Sequence, residues 1–118
     1  MLTILTETKG NLLALQVTDK FTGEDFEQYK IMISDRMQRF GNARLYFEMP
    51  GFKGWEIGSF IRNALFDIIN GRQYGKVAMA GEKWLQHLAA RLASPVKKEG
   101  IKYFSLMEKE KAKSYVDQ

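Results

Sequence analysis

Gly41-Asn42-Ala43-Arg44-Leu45-Tyr46-Phe47-Glu48-Met49-Pro50-Gly51, residues 41–51, begins on a helix stop, ends on a turn and alternates in between. Leu45, Phe47 and Met49 point one way and Arg44, Tyr46 and Glu48 the other, the two-residue period of a strand. The pattern recurs three times. Leu13, Leu15 and Val17, then Val77 and Met79, then Ile101 and Tyr103 extend the strongly apolar side. Ala14 and Gln16, Lys76, Ala78 and Ala80, and Lys102 and Phe104 make up the opposite side. A parallel sheet buried by helices on both sides reads as nearly continuous apolar runs. The expectation is therefore a sheet with helices mainly on one face, its other face part-solvated or covered by a partner.

Around this stretch the remaining elements fall into place. Leu2 to Thr8 and Leu12 to Thr18 read as two strands joined at Lys9-Gly10-Asn11, residues that tolerate a tight reversal. A helix starts near Thr22, where Thr22-Gly23-Glu24-Asp25 resembles a capping box with the shorter acid. Phe26, Tyr29, Ile33, Met37 and Phe40 follow at helical spacing, and Gly41 stops the helix. Pro50 to Gly54 reads as a loop, and a second helix is predicted from about Trp55 to Asn70, closing on Gly71. Lys76 to Ala80 is the next strand, followed by a third helix from Glu82 to about Ala93 that Pro95 ends. Ile101 to Ser105 is the last strand and Glu108 to Val116 the last helix. The order β-β-α-β-α-β-α-β-α is an α/β domain, 1–118, with a mainly parallel five-stranded sheet.

Composition narrows the chemistry. The 118 residues include no cysteine and one histidine, His87, so thiolate metal sites, disulfides and sites needing two imidazoles are excluded. With no Asp-rich loop and no phosphate-loop glycine spacing, no metal or cofactor is expected. The net charge of +4 is uneven: residues 72–118 hold ten Lys and Arg against five Asp and Glu, and residues 1–71 eight against nine. The interleaved acids, as in Glu108-Lys109-Glu110-Lys111-Ala112-Lys113, read as a solvated helix face, with phosphate binding a distant second reading, and no nucleic-acid partner is expected. Without a basic leader or a long apolar run, cytoplasmic residence without stable membrane insertion is the expectation.

Several phrases in this order carry a family resemblance: Gly10-Asn11-Leu12-Leu13-Ala14-Leu15, Thr22-Gly23-Glu24-Asp25-Phe26, Leu45-Tyr46-Phe47-Glu48 with Phe52-Lys53-Gly54-Trp55, Lys76-Val77-Ala78-Met79-Ala80-Gly81 before Trp84, and Ile101-Lys102-Tyr103-Phe104. Over essentially its whole length the chain resembles the SpoIIAA-like family, small members of the STAS group related in fold to CRAL-TRIO lipid carriers. The resemblance implies a strand-helix superhelix with successive strands side by side. It also implies a place for the phosphorylatable serine of STAS domains that antagonise anti-sigma factors, at the helix start after the third strand. There this chain reads Lys53-Gly54-Trp55-Glu56-Ile57-Gly58-Ser59, so the usual serine motif is missing.

Two groups of residues are candidates for function. Ligands of open α/β sheets bind beyond the carboxyl ends of the strands. That edge should gather Glu48, Phe52, Lys53, Trp55, Glu82 and Trp84 into an amphipathic pocket, unless the aromatics simply cap the core. On the second helix Trp55, Ser59, Arg62 and Phe66 stand opposite the apolar stripe, the composition of an interface core unless the preceding loop covers them. Burying two such rings is worth roughly 3–6 kcal/mol, and a C2 homodimer is the commonest way to do it. His87 lacks a serine-acid arrangement to orient it, and the Glu48–Glu82 pair has lysines at hand to neutralise it. No enzyme is expected. The leading expectation is a protein-interaction or regulatory module that binds itself or another protein; the alternative is a carrier or sensor of a small apolar, lipid-like ligand.

Overall fold

In the computed structural model, which describes residues 1–55, 74–83 and 101–117, the stretch around Phe47 is the middle strand of a sheet. The described elements are strands β1 (Leu2–Ile4), β2 (Leu12–Val17) and β3 (Asp19–Phe21), helix α1 (Gly23–Phe40), strands β4 (Ala43–Met49), β5 (Phe52–Trp55), β6 (Tyr74–Gly81) and β7 (Ile101–Ser105), a 3-10 turn (Leu106–Glu108) and helix α2 (Lys109–Asp117). The five-stranded sheet has the order β1-β2-β4-β6-β7 and is mixed: β1 runs antiparallel to β2, and the β2–β4, β4–β6 and β6–β7 pairs are parallel. The expected second and third helices lie outside the described residues. No described helix is long and apolar enough to cross a membrane.

Local chemistry explains α1 at both ends. The Thr22 hydroxyl accepts the Asp25 backbone N–H at 3.1 Å, and the Asp25 carboxylate accepts the Thr22 N–H at 3.1 Å, the reciprocal capping box that the residues suggest. Gly41 closes the helix with φ 80°, donating its N–H to the Met37 carbonyl at 2.9 Å. Phe26, Tyr29 and Ile33 are buried, but Phe40 is largely exposed beneath the Arg39 guanidinium, so the apolar stripe stops a turn earlier than its spacing predicts.

The apolar strand face is where α1 packs. Leu13, Leu15, Val17, Leu45, Phe47, Met49, Val77 and Met79 form one buried cluster with Phe26, Tyr29 and Ile33. The other face is not open. Leu12, Ala14, Tyr46, Ala78 and Ala80 are buried against Ala112 and Val116 of α2. The expectation that this face is part-solvated or left to a partner is thus corrected: among the described residues each face carries one helix, and the two expected helices that would decide which face holds more lie outside them. Ala14, Ala78 and Ala80 look only weakly apolar in sequence, but on a sheet their small side chains let a helix lie close, and Ala112 and Val116, four residues apart, share the helix face that fills the space.

Two further corrections concern the connections. The first strand ends at Ile4 rather than Thr8. A turn follows, with the Thr8 N–H bonded to the Leu5 carbonyl, and the Thr8 hydroxyl takes the place of a backbone partner by accepting from Ala14 N at 3.0 Å and donating to Ala14 O at 3.1 Å. The Pro50–Gly54 loop is partly a strand: Gly51, at φ 62°, reverses the chain so that β5 pairs in parallel with β3 as a separate two-stranded sheet.

The covered second face makes a direct prediction. Ala78→Leu should overpack the α2 contact and cost about 1–3 kcal/mol by urea unfolding, whereas an unchanged midpoint would mean that this face is open.

Candidate functional site

At the carboxyl ends of the parallel strands, Gln16 of β2 and Glu48 of β4 are register partners. Strand alternation places both on the α2 face with Tyr46. Glu48 is only 6% exposed, yet both its oxygens are occupied: Gln16 Nε2 donates to Oε2 at 2.8 Å and the Tyr46 hydroxyl donates to Oε1 at 2.9 Å. A buried carboxylate is tolerable only when its lone pairs are met in this way. Burial first, and the bond to Glu48 second, push the Tyr46 phenol well above the usual range, so it stays a proton donor.

A second ionic contact closes over this group. The turn after β1 carries Glu7 to Lys113 of α2, Oε2 to Nζ 2.8 Å, while Glu110 lies 3.6 Å from the same ammonium. Lys113 also stands 5.9 Å over the Tyr46 ring. The hydrogen bond from Lys113 holds the Glu7 carboxyl below its ordinary 4.5, and the same bond holds Lys113 above its ordinary 10.5. Polar residues from four elements are thereby joined into one network that ties α2 to the strand ends. Across the sheet the Tyr103 hydroxyl, near the end of β7, is buried without a hydrogen-bond partner among the described residues, and burial pushes its phenol up to about 12.

The residues expected to form a pocket do not all share one place. Glu48 lies on the α2 side, whereas Phe52 is 5% exposed within the cluster under α1, so these two are separated by the sheet. Lys53 is exposed, 3.7 Å from Asp19. Glu82 is exposed just beyond β6, and Trp55 closes β5 opposite Phe21. Ser59, Arg62, Phe66, Trp84 and His87 lie outside the described residues. Gln16, Tyr46, Glu7 and Lys113 were not anticipated as site residues. Gln16 and Glu48 could have been paired from the sequence, as polar residues at matching places in two apolar strands. Nothing local links Glu7 to Lys113.

Two consequences can be measured. Tyr46→Phe leaves one Glu48 oxygen buried without its donor and should cost about 1–3 kcal/mol, read from urea midpoints. Glu7→Gln tests the pH dependence. A lowered carboxyl contributes stability that is complete above 4.5 and lost as pH falls through the lowered folded value; a raised lysine contributes below 10.5 and loses its share as pH climbs through the raised folded value. The variant should therefore be less stable than the natural chain near neutrality, and the gap should close in strong acid.

The comparisons with known proteins bear on this frame as a whole. The chain is similar in structure to a crystallised, uncharacterised protein of the DUF3478 family from Shewanella loihica PV-4, which has a SpoIIAA-like fold. The likeness has a TM-score of 0.67 at 21% identity and covers 98% of this chain and 93% of that one, which establishes a shared fold. No curated protein matches the chain. The model of the SpoIIAA-like family matches residues 12–117, from the first residue of β2 to the last of α2. On that match, and with the strand-and-helix frame already described, the chain belongs to the SpoIIAA-like family.

Proposed function

We propose that this protein is a non-enzymatic, STAS-like protein-interaction or regulatory module, working in the cytoplasm and associating with itself or with another protein. The observation that supports this reading most is the saturation of the strand-end polar network. Glu48 spends both oxygens on Gln16 and Tyr46, and Lys113 is shared by Glu7 and Glu110. A general acid or base needs a lone pair or proton directed at a substrate, and these groups are directed at each other. The same arrangement stiffens the carboxyl edge, which suits a surface that is recognised rather than one that reacts.

The interaction face of this proposal is formed by Ser59, Arg62 and Phe66 of the expected second helix with Trp55, which ends β5 rather than starting that helix. Two large rings and a guanidinium have the makeup of interface anchors. The missing serine motif supports a module that works by contact alone, without the family's phosphoswitch.

Sedimentation of the natural chain and of Phe66→Asp separates the possibilities. A natural chain that sediments as a dimer and a variant that sediments as a monomer are expected, and a monomeric natural chain at all concentrations would remove self-association. Native mass spectrometry of gently purified protein should show the bare polypeptide mass. A bound lipid that co-purifies would instead make the protein a carrier of a small apolar ligand.

A further inference from the structure

At the amino edge of the α2 face, three cations stand near the starts of neighbouring strands: Arg44 of β4, Lys76 of β6 and Lys102 of β7. Lys102 pairs in register with Ala78, which sets it diagonal to Lys76 on the same face and within reach of a long side chain, while Arg44 lies in the irregular stretch of β4 beside the start of β6. The ammoniums of Lys76 and Lys102 each stand 5.0 Å from the centroid of one ring, Tyr115 of α2. Lys76 is half-buried there. Arg44 donates to Asn11 Oδ1 at 2.8 Å and to the Val116 carbonyl, neutral acceptors that leave its charge uncompensated. Among the described residues none of the three forms an ion pair with a carboxylate, whereas Lys113, in the middle of the same helix, is held by two acids.

Like charges drawn to one ring repel each other, and the ring's attraction returns only about 0.5–1 kcal/mol each at exposed sites. The carboxyl end of α2 adds the equivalent of roughly half a negative charge, too little to balance three cations. What fits this convergence is a compact counter-ion rather than an extended acidic chain, because two of the three charges meet at a single side chain. The geometry points to a binding site for a compact, doubly charged oxyanion of the phosphate-monoester class, held between Lys76 and Lys102 beside Tyr115, with Arg44 supplying fixed positive potential from the adjoining strand. Lysine serves phosphate as a point charge and needs no bidentate geometry. The assignment uses none of the residues proposed for protein contacts, so either can fail without the other.

Titration of the full chain with inorganic phosphate and with phenyl phosphate at low ionic strength, followed by NMR of the lysine and tyrosine side chains, tests the assignment. Binding should saturate and move Lys76, Lys102 and Tyr115. Lys76→Gln and Lys102→Gln should each weaken it by about tenfold, Lys102→Arg should keep it, and Lys30→Gln on α1 should leave it unchanged. Flotation with phosphatidylcholine vesicles, with and without phosphatidic acid, separates the two sources of the group. Lysine-dependent binding to phosphatidic acid assigns the site to a lipid headgroup, and binding of the soluble ester alone assigns it to a small molecule. Binding of neither, affinity that survives in the Lys76→Gln/Lys102→Gln double variant, or equal loss in Lys30→Gln would overturn the proposal.

Discussion

The close seating of α2 on three alanines is the contact on which the rest of this structure depends. Ala14, Ala78 and Ala80 are fully buried, as is Ala112 of the helix above them. Small side chains on both partners bring helix and sheet near enough for the polar groups at either end to meet. At the carboxyl end Lys113 reaches Glu7 and stands over Tyr46; at the amino end Arg44 reaches the Val116 carbonyl and Tyr115 lies against two lysines. A bulkier side chain anywhere in that layer would lift the helix from both.

The face beneath α2 is consequently electrically polarised. Acids gather where the strands end and bases where they begin, with α2 running back between them. At the acidic end the charges are matched within the chain, and burial of Glu48 is made tolerable by two neutral donors rather than by a cation. At the basic end they are not matched among the described residues.

Much of the frame could be read from side-chain order alone. The five strands, the Thr22–Asp25 capping box and the Gly41 stop are local features, decided by residues within a few positions of one another. The failures were non-local. Alanine on a strand looks indifferent until a helix from the far end of the chain is laid across it, so Ala14, Ala78 and Ala80 read in sequence as a face part-solvated or left to a partner. The β3–β5 pair joins short segments about thirty residues apart, and β5 holds Gly54 and follows Pro50 and Gly51, which hides it inside a loop. For the site, Glu48 reads as a strand-end acid with Gln16 at the matching place of the neighbouring strand, but neither the donation from the Tyr46 hydroxyl nor the Glu7–Lys113 contact shows in the local sequence. Phe52, read as a pocket wall, is a core residue on the other side of the sheet.

The central claim, that the second sheet face is covered from within the same chain, is tested most directly by isotope-filtered methyl NMR on a mixture of labelled and unlabelled protein. Contacts from the Ala112 and Val116 methyl groups to the side chains of β4 and β6 should arise within one molecule and persist on dilution. If those contacts were found only between molecules, or were absent, α2 would not be the cover and the face would belong to a partner.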